Sequence, residues 1–319
     1  MEEGVQAMKP VVLFPSGYRS EKVLSDPIRK RLRHSGRMDV ISYELPPGDY
    51  FAGYKDTVGK IAAYSPDFAI LCADRTEMAG AAAACFNHGI PFAHIYAGIA
   101  NNIGTTDDVN RHIMTLQSTV QFCEGNRASS LVYDIRRRVG LSVDRCFVVG
   151  ITHMDDVTIE PWDIPRKPFD IVAYNPPATH LRNARQREII EEEWDTIMHY
   201  TKDTKNVLAV FPAPDRGDEL IREMLDVMSS RGWKVLPSLP REQYFYALQN
   251  CERFISNSSA TYYEAPALMK NPLNIIKIGL RNSGRDEGPF KTGASDKIAK
   301  LVENYVCIPK SGKIIGSDL

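Results

Sequence analysis

The residues best equipped for chemistry sit together in the stretch Phe254-Ile255-Ser256-Asn257-Ser258-Ser259-Ala260-Thr261-Tyr262-Tyr263-Glu264-Ala265. A short apolar run (Phe254, Ile255) gives way to small hydrogen-bonding residues, and an apolar, Tyr-rich segment from Tyr262 to Met269 follows that can start a helix. Strand, polar turn and helix N-terminus together present backbone N–H groups and a positive dipole end to an anion. Asn257, Ser258 and Ser259 supply further hydrogen-bonding groups. Glu264 falls in the first turn or two of the helix, where a carboxylate can accept from a ribose diol. A plain N-cap accounts for the same Ser/Asn cluster without any ligand, so both readings stay open at this point.

A second group of candidates lies in the first half. Arg19 follows a first strand by one turn, at the head of a basic helix, where it can reach a phosphate or simply face solvent. Asp74, Arg75 and Glu77 follow another apolar run, Asp107 and Asp108 close a polar loop that begins at Ala97, and Arg111 falls in the helix after it.

The composition restricts what these groups can serve. At 319 residues the chain is long enough for two domains. Its hydrophobic fraction of 43% and charged fraction of 25% are those of a globular protein. The formal net charge of −1 gives no global field for nucleic acid or an anionic membrane. The 6 cysteines show no CxxC and no short Cys/His spacing, which points to reduced core thiols and to no metal site. Met1-Glu2-Glu3-Gly4 is acidic and no apolar signal region follows, and no apolar run approaches about 18 residues, so a cytoplasmic protein without membrane segments is expected.

The elements that must carry these groups alternate. Apolar strands are expected at 11–14, 40–43, 68–72, 90–96, 120–123 and 145–150. Helices are expected at 21–34, 54–64, 78–86, 110–120 and 127–139. Pro161, Pro165 and Pro168 interrupt the pattern, and the linker is placed there. The pattern restarts with strands at 170–174, 207–211, 234–236, 254–255 and 273–278, and helices at 186–200, 217–230, 242–249 and 295–305. Such alternation implies an α/β chain of two doubly wound Rossmann-like domains, 1–160 and 161–319, whose strand C-termini face a central cleft. The last helix is a candidate to pack back on the first domain. Arg19, Asp74-Arg75, Tyr96-Ala97-Gly98, Asn175, Asp215 and Asn257-Ser258-Ser259 all fall at strand C-termini, where such sheets bind ligands.

Several motifs carry a family resemblance in chain order. They are Gly17-Tyr18-Arg19-Ser20-Glu21, Ala73-Asp74-Arg75-Thr76-Glu77, His94-Ile95-Tyr96-Ala97-Gly98 and Gly104-Thr105-Thr106-Asp107-Asp108-Val109-Asn110-Arg111-His112 in the first half. Phe211-Pro212-Ala213-Pro214-Asp215, Asn257-Ser258-Ser259 with Glu264-Ala265-Pro266, and Ile278-Gly279-Leu280-Arg281-Asn282-Ser283-Gly284-Arg285 follow in the second. With these the chain resembles UDP-N-acetylglucosamine 2-epimerases, particularly the hydrolysing branch, over nearly its whole length. The resemblance implies a GT-B-like fold, a nucleotide-sugar ligand (a UDP-sugar foremost), no cofactor, and a homodimer. It implies elimination of the nucleoside diphosphate across C1–C2, then addition of water or of the diphosphate to the glycal. By position it makes Asp74 and Asp108 acid/base or sugar-positioning carboxylates. Arg19, Asn257, Ser258 and Ser259 would hold the diphosphate and Glu264 the ribose. Arg75, Glu77, Asp107, Arg111, Asp215, Arg281 and Arg285 would serve the sugar or the cleft.

Two positions depart from the family pattern. Tyr96 stands where the family has a glutamate, replacing a carboxylate of pKa about 4 by a phenol of about 10. Asn175, before Pro176, stands where the family has a histidine, replacing a titrating group by an amide. His180 is a loop candidate to stand in for it. A glycosyltransferase on the same architecture, or a nucleotide-sugar binding protein that has lost catalysis, are the alternative readings.

Overall fold

The structure is a computed structural model, described here for residues 9–101, 105–177, 185–212, 214, 217–288, 290 and 292–307, apart from the side chains of residues 19 and 20. The chain separates into two compact units. One comprises Met1–Ile99, Asn110–Asp155 and Lys291–Leu319, and the other Ala100–Val109 and Asp156–Phe290.

The first unit contains β1 (Lys9–Phe14), α1 (Arg19–Ser35), β2 (Met38–Ser42), α2 (Tyr50–Tyr64), β3 (Phe68–Cys72), α3 (Thr76–Asn87) and β4 (Phe92–Ile95). It continues through α4 (Thr106–Gln117), whose first turn lies in the other unit, to β5 (Val120–Cys123), α5 (Asn126–Arg138) and β6 (Cys146–Val148). Its sheet is wholly parallel in the order β2-β1-β3-β4-β5-β6. The strand order reverses beside β1, which makes the β1/β3 crevice the switch point of a doubly wound sheet. Strand β3 is buried at every position because it pairs on both sides and is covered on both faces.

The alanine run of α3 has a direct packing cause. A Cβ on Gly53 of α2 would stand 2.0 Å from the Glu77 carbonyl oxygen, and one on Gly80 of α3 would stand 2.0 Å from that of Tyr50. The two helices therefore touch backbone to backbone, and only very small residues fit the seam. Met78, Ala79, Ala81 and Ala82 then join Val12, Phe14, Leu71 and Phe92 in one core.

The second unit holds β7 (Asp170–Ala173), α6 (Gln186–Thr201), β8 (Val207–Val210), α7 (Asp218–Ser230), β9 (Lys234–Leu236), α8 (Arg241–Asn250), β10 (Arg253–Ser256), α9 (Glu264–Leu268) and β11 (Ile275–Lys277). The parallel order is β11-β10-β7-β8-β9, so its switch point lies between β7 and β10. Helix α10 (Ala294–Cys307) belongs to the first unit. The Asp155 carboxylate accepts from the backbone N–H groups of Gly293 (2.5 Å), Ala294 (3.3 Å) and Ser295 (2.6 Å) and so caps it.

Three expectations are corrected. Helix α4 begins at Thr106 rather than residue 110. Thr105 and Asp108 form a reciprocal cap, with Asp108 N–H donating to Thr105 Oγ1 (3.1 Å) and Thr105 N–H to Asp108 Oδ2 (3.2 Å). No long helix follows the Asn257–Ser259 turn. The chain makes a 3-10 turn at Ser259–Thr261 and then the five-residue α9. Pro266 has no N–H for the Tyr262 carbonyl, so it is tolerated only in a first turn, and the helix must restart. Strand β1 begins at Lys9, ahead of Pro10, which is placed where pairing with β3 has not yet begun.

Candidate functional site

In the second unit, the loops leaving β7, β10 and β11 are fastened together by amide side chains. Asn257, after β10, accepts from Asn175 N–H (2.9 Å) and returns an Nδ2–H to the Asn175 carbonyl (2.7 Å). Its own carbonyl accepts from Asn282 Nδ2 (2.9 Å) in the β11 loop. Asn282 sits at φ 67, a left-handed conformation that Asn adopts more readily than most residues. Its Oδ1 accepts from Arg285 Nε (2.5 Å), and Arg285 also donates to the Tyr263 hydroxyl. Three strand exits therefore share one neutral frame, with a guanidinium at its end.

Ser256 organises the turn from beneath. Its buried hydroxyl accepts the Ser258 N–H (3.0 Å) and contacts the Ala173 carbonyl and Ser258 Oγ (2.9 Å). Among the described residues, the N–H groups of Ser259 and Ala260 and the Ser259 hydroxyl have no partner. The turn thus presents donors as expected, but without the dipole of a long helix behind them. Glu264, at the start of α9, is partly buried. Burial raises its carboxyl above the ordinary range, against the opposing charges of Arg241 and Arg285. Arg281 Nη1 donates to the Pro176 carbonyl (2.8 Å).

Behind this frame, the Tyr174 hydroxyl donates to Glu193 Oε2 (2.7 Å). A Cβ on Gly279, at φ +61, would stand 1.8 Å from Glu193 Oε1, so a side chain there would be strained by conformation and would push the Glu193 carboxylate from its present position. Burial raises the Glu193 carboxyl, while the Tyr174 hydrogen bond and Arg281 hold it down.

The first unit carries charge instead. At the β1/β3 switch point, Ser16 Oγ donates to Glu77 Oε1 (2.5 Å), with both residues buried. The Arg75 guanidinium lies 4.3 Å from the centre of the Tyr18 ring. Asp74 accepts from Arg111 Nη2 in a buried ion pair, and Arg111 Nη1 also donates to the Ile99 carbonyl (3.1 Å). Ala73, just before Asp74, is at φ 60, and Tyr96, just after β4, is at φ 64. Left-handed non-glycine residues at two neighbouring strand ends mark stored backbone strain, a recurrent property of functional sites. His94 holds the first in place, its Nε2–H donating to the Ala73 carbonyl (2.8 Å) while Nδ1 faces Thr115 Oγ1 (3.1 Å). Burial lowers its pKa to about 4, so the ring is neutral at pH 7.

Tyr96 is held by protein partners on its hydroxyl. Its hydroxyl is buried and accepts the Thr152 N–H (2.9 Å), with Thr152 Oγ1 and His153 Nδ1 each at 3.0 Å. Burial moves the phenol still further from ionisation. Asp108 is likewise a fastener: Oδ1 accepts from Asn101 N–H (2.7 Å) and Oδ2 from Thr105 N–H, which ties the 101–108 segment to the head of α4. Glu77, engaged by Ser16, is a strut rather than an exposed sugar contact. Asp107 lies half-buried in the first turn of α4. Asp215, His180 and the side chain of Arg19 lie outside the described residues.

Sequence reading missed Ser16, His94, Thr152, His153, Tyr174, Glu193, Ser256 and Asn282. For most of these the signal is only a polar residue inside an apolar run, as at His94 and Ser256. Among the described residues, no three His, Cys, Asp or Glu side chains converge as metal ligands would, and no helix is long and apolar enough to cross a membrane.

Comparison with known proteins bears on the same chain. The family model for UDP-N-acetylglucosamine 2-epimerase matches residues 55–313. A hydrolysing UDP-N,N'-diacetylbacillosamine 2-epimerase of Legionella pneumophila is 23% identical over 80% of this chain and 64% of its own length. A UDP-N-acetylglucosamine 2-epimerase of Neisseria meningitidis is 23% identical over 70% of this chain and 58% of its own. The chain thus spans less than two thirds of either relative. In architecture it is similar to S. aureus MnaA, solved with UDP (TM-score 0.75, 13% identity, 96% of this chain and 99% of that one). It is similar too to the N. meningitidis 2-epimerase bound to UDP-GlcNAc (TM-score 0.67, 14% identity, 93% and 92%). The match over most of the sequence, joined to two doubly wound sheets of the same architecture, makes this chain a member of the UDP-N-acetylglucosamine 2-epimerase family.

Proposed function

We propose that the chain binds a UDP-sugar of the UDP-N-acetylglucosamine type and inverts C2 by elimination and hydration, as a hydrolysing 2-epimerase. The observation that carries this is the family match together with the donor-presenting Asn257–Ser259 turn at the switch point of the second sheet. In this reading Ser258, Ser259 and the Ser259 and Ala260 N–H groups hold the diphosphate. Glu264 accepts from the ribose, and Arg281, Arg285 and Asp215 serve the sugar side.

The proton at C2 leaves to a base as the C1–O bond to the diphosphate breaks, giving a glycal and free UDP. Water then supplies hydroxide to C1 and a proton to C2 from the other face. Asp74 is the carboxylate we assign to proton transfer at C2, since its pairing with Arg111 favours the ionised form a base needs. Arg75, Glu77 and Tyr96 position the strand ends of its own unit, while Asp107, Asp108 and the Asn175 backbone hold segments of the other unit.

One observation favours a second reading. The tied Tyr96 hydroxyl and the Asn175 amide stand where the family carries ionisable groups, and a glycosyltransferase, which moves no proton at C2, has no need of them. Incubation with UDP-GlcNAc in D2O separates the two. The epimerase reading predicts free UDP and deuterium at C2 of the released sugar by NMR. Release of UDP only when an acceptor sugar is added, with no deuterium at C2, would transfer the assignment to the second reading.

A further inference from the structure

Away from these loops, the fold joins two thiols that the sequence separates. Cys123 ends β5 and Cys146 opens β6, and their Sγ atoms lie 3.6 Å apart. Gln121 pairs with Cys146 and Cys123 with Val148, so the two cysteines are diagonal neighbours on one face of adjacent parallel strands. Cys123 is buried and Cys146 partly exposed.

Arg136 of α5, itself 6% exposed, interacts electrostatically with Cys146. Its guanidinium donates to the carbonyls of Thr115 (2.8 Å), Leu116 (3.3 Å), Ser118 (3.0 Å) and Ser142 (2.8 Å). Among the described residues it has no carboxylate partner. A buried cation coordinated only by carbonyl dipoles favours an anion beside it. The hydrogen bond from Cys123, and then the charge of Arg136, hold the Cys146 thiol below its ordinary value. Four other thiols move the other way: burial pushes Cys85 and Cys251 up to about 12 and also raises Cys72 and Cys307.

We propose that Cys146 and Cys123 form a dithiol–disulfide modification site whose substrates are low-molecular-weight disulfides. Cys146 is the nucleophile because it combines access with the neighbouring guanidinium, and Cys123 is the resolving thiol. The Cys146 thiolate attacks one sulfur of the disulfide, an S–S bond forms, and one small thiolate leaves. Cys123 then gives up its proton and attacks the Cys146 sulfur, and the second small thiolate departs with that proton. The protein dithiol loses two electrons and two protons, and one small disulfide becomes two thiols. Diagonal neighbours on adjacent strands stand about 7–8 Å apart, a little beyond the usual Cα span of a disulfide, so closing the sulfurs from 3.6 Å to a bond of about 2 Å asks for side-chain rotation together with a small approach of the β5 and β6 ends.

The test uses the full chain carrying Cys307→Ser, which removes the exposed thiol, treated with oxidised glutathione and mapped by peptide mass spectrometry. The expected product is a Cys123–Cys146 cross-link that dithiothreitol reverses. Adding Cys123→Ser should trap one glutathione on Cys146, and adding Cys146→Ser should slow modification of Cys123 about tenfold or more. No variant is needed to read the cross-link, so it can be sought in the unaltered chain as well. Glutathione on Cys146 no sooner than on Cys251, or a protein without the cross-link while its circular dichroism stays that of the folded state, would overturn the proposal.

Discussion

The two sheets place polar residues at the same topological position and use them differently. In the second unit the strand exits are joined by neutral amides and hydroxyls, Asn257 to Asn175 and Asn282, with Ser256 beneath, and donors are left facing outward. In the first unit the carboxylate candidates already have protein partners: Asp74 has Arg111 and Glu77 has Ser16. A neutral frame that holds its shape without a ligand suits binding of an anion, since it pays little reorganisation on loading. A set of locked charges suits the holding of a strained backbone, seen at Ala73 and Tyr96, against which one ionised carboxylate can act.

The largest effect expected from this contrast is at the buried ion pair. Arg111→Met leaves Asp74 charged and unpartnered, and should cost about 3–5 kcal/mol of stability in urea unfolding. Adding Asp74→Asn should restore much of it. A single-variant loss under about 1 kcal/mol, the scale of a surface pair, would mean that the first unit is not locked as described.

His94 sharpens the same point through pH. Below pH 6.5 the unfolded chain binds a proton that the folded ring refuses until about pH 4. The contribution is therefore whole above pH 6.5 and lost as pH falls toward 4, by roughly 3 kcal/mol in all. Relative to the parent protein, His94→Gln should flatten that part of the stability curve. Parallel curves for the two proteins from pH 4 to 7 would show that the ring is not neutral and buried in solution.

A smaller effect distinguishes strut from catalyst at Tyr96. Tyr96→Phe leaves the Thr152 N–H without its acceptor and should lower stability by about 1–3 kcal/mol, while the pH dependence of turnover stays unchanged. Displacement of a pKa in that profile would return Tyr96 to the chemistry.

How much of this could be read from sequence follows from the range of the interactions. Phe68–Cys72, Val120–Cys123 and Lys234–Leu236 are strands at the expected residues, because short runs dominated by apolar residues between clear breaks leave few alternatives. The polar residues at strand ends were equally visible, since position along the pattern locates them. Their partners were not. Asp74 and Arg111 are 37 residues apart and Ser16 and Glu77 are 61 apart, and no local periodicity encodes such pairs. Asp108 was legible as a carboxylate in the loop ahead of a helix but not as one half of a cap, because the cap moves the helix start forward to Thr106. The segment from Tyr262 to Met269 does carry a helix, but only the five residues Glu264–Leu268, with Pro266 confined to its first turn.

The most direct test of the division between the two regions is calorimetric titration of UDP into the parent protein, into the Ser258→Ala/Ser259→Ala double variant and into Asp74→Asn. The account predicts that the serine variant loses roughly 1–3 kcal/mol of UDP affinity, the cost of unmade bonds to a charged group, while Asp74→Asn binds UDP as the parent does. Unchanged affinity in the serine variant, with loss in Asp74→Asn, would contradict it and place the diphosphate with the first sheet.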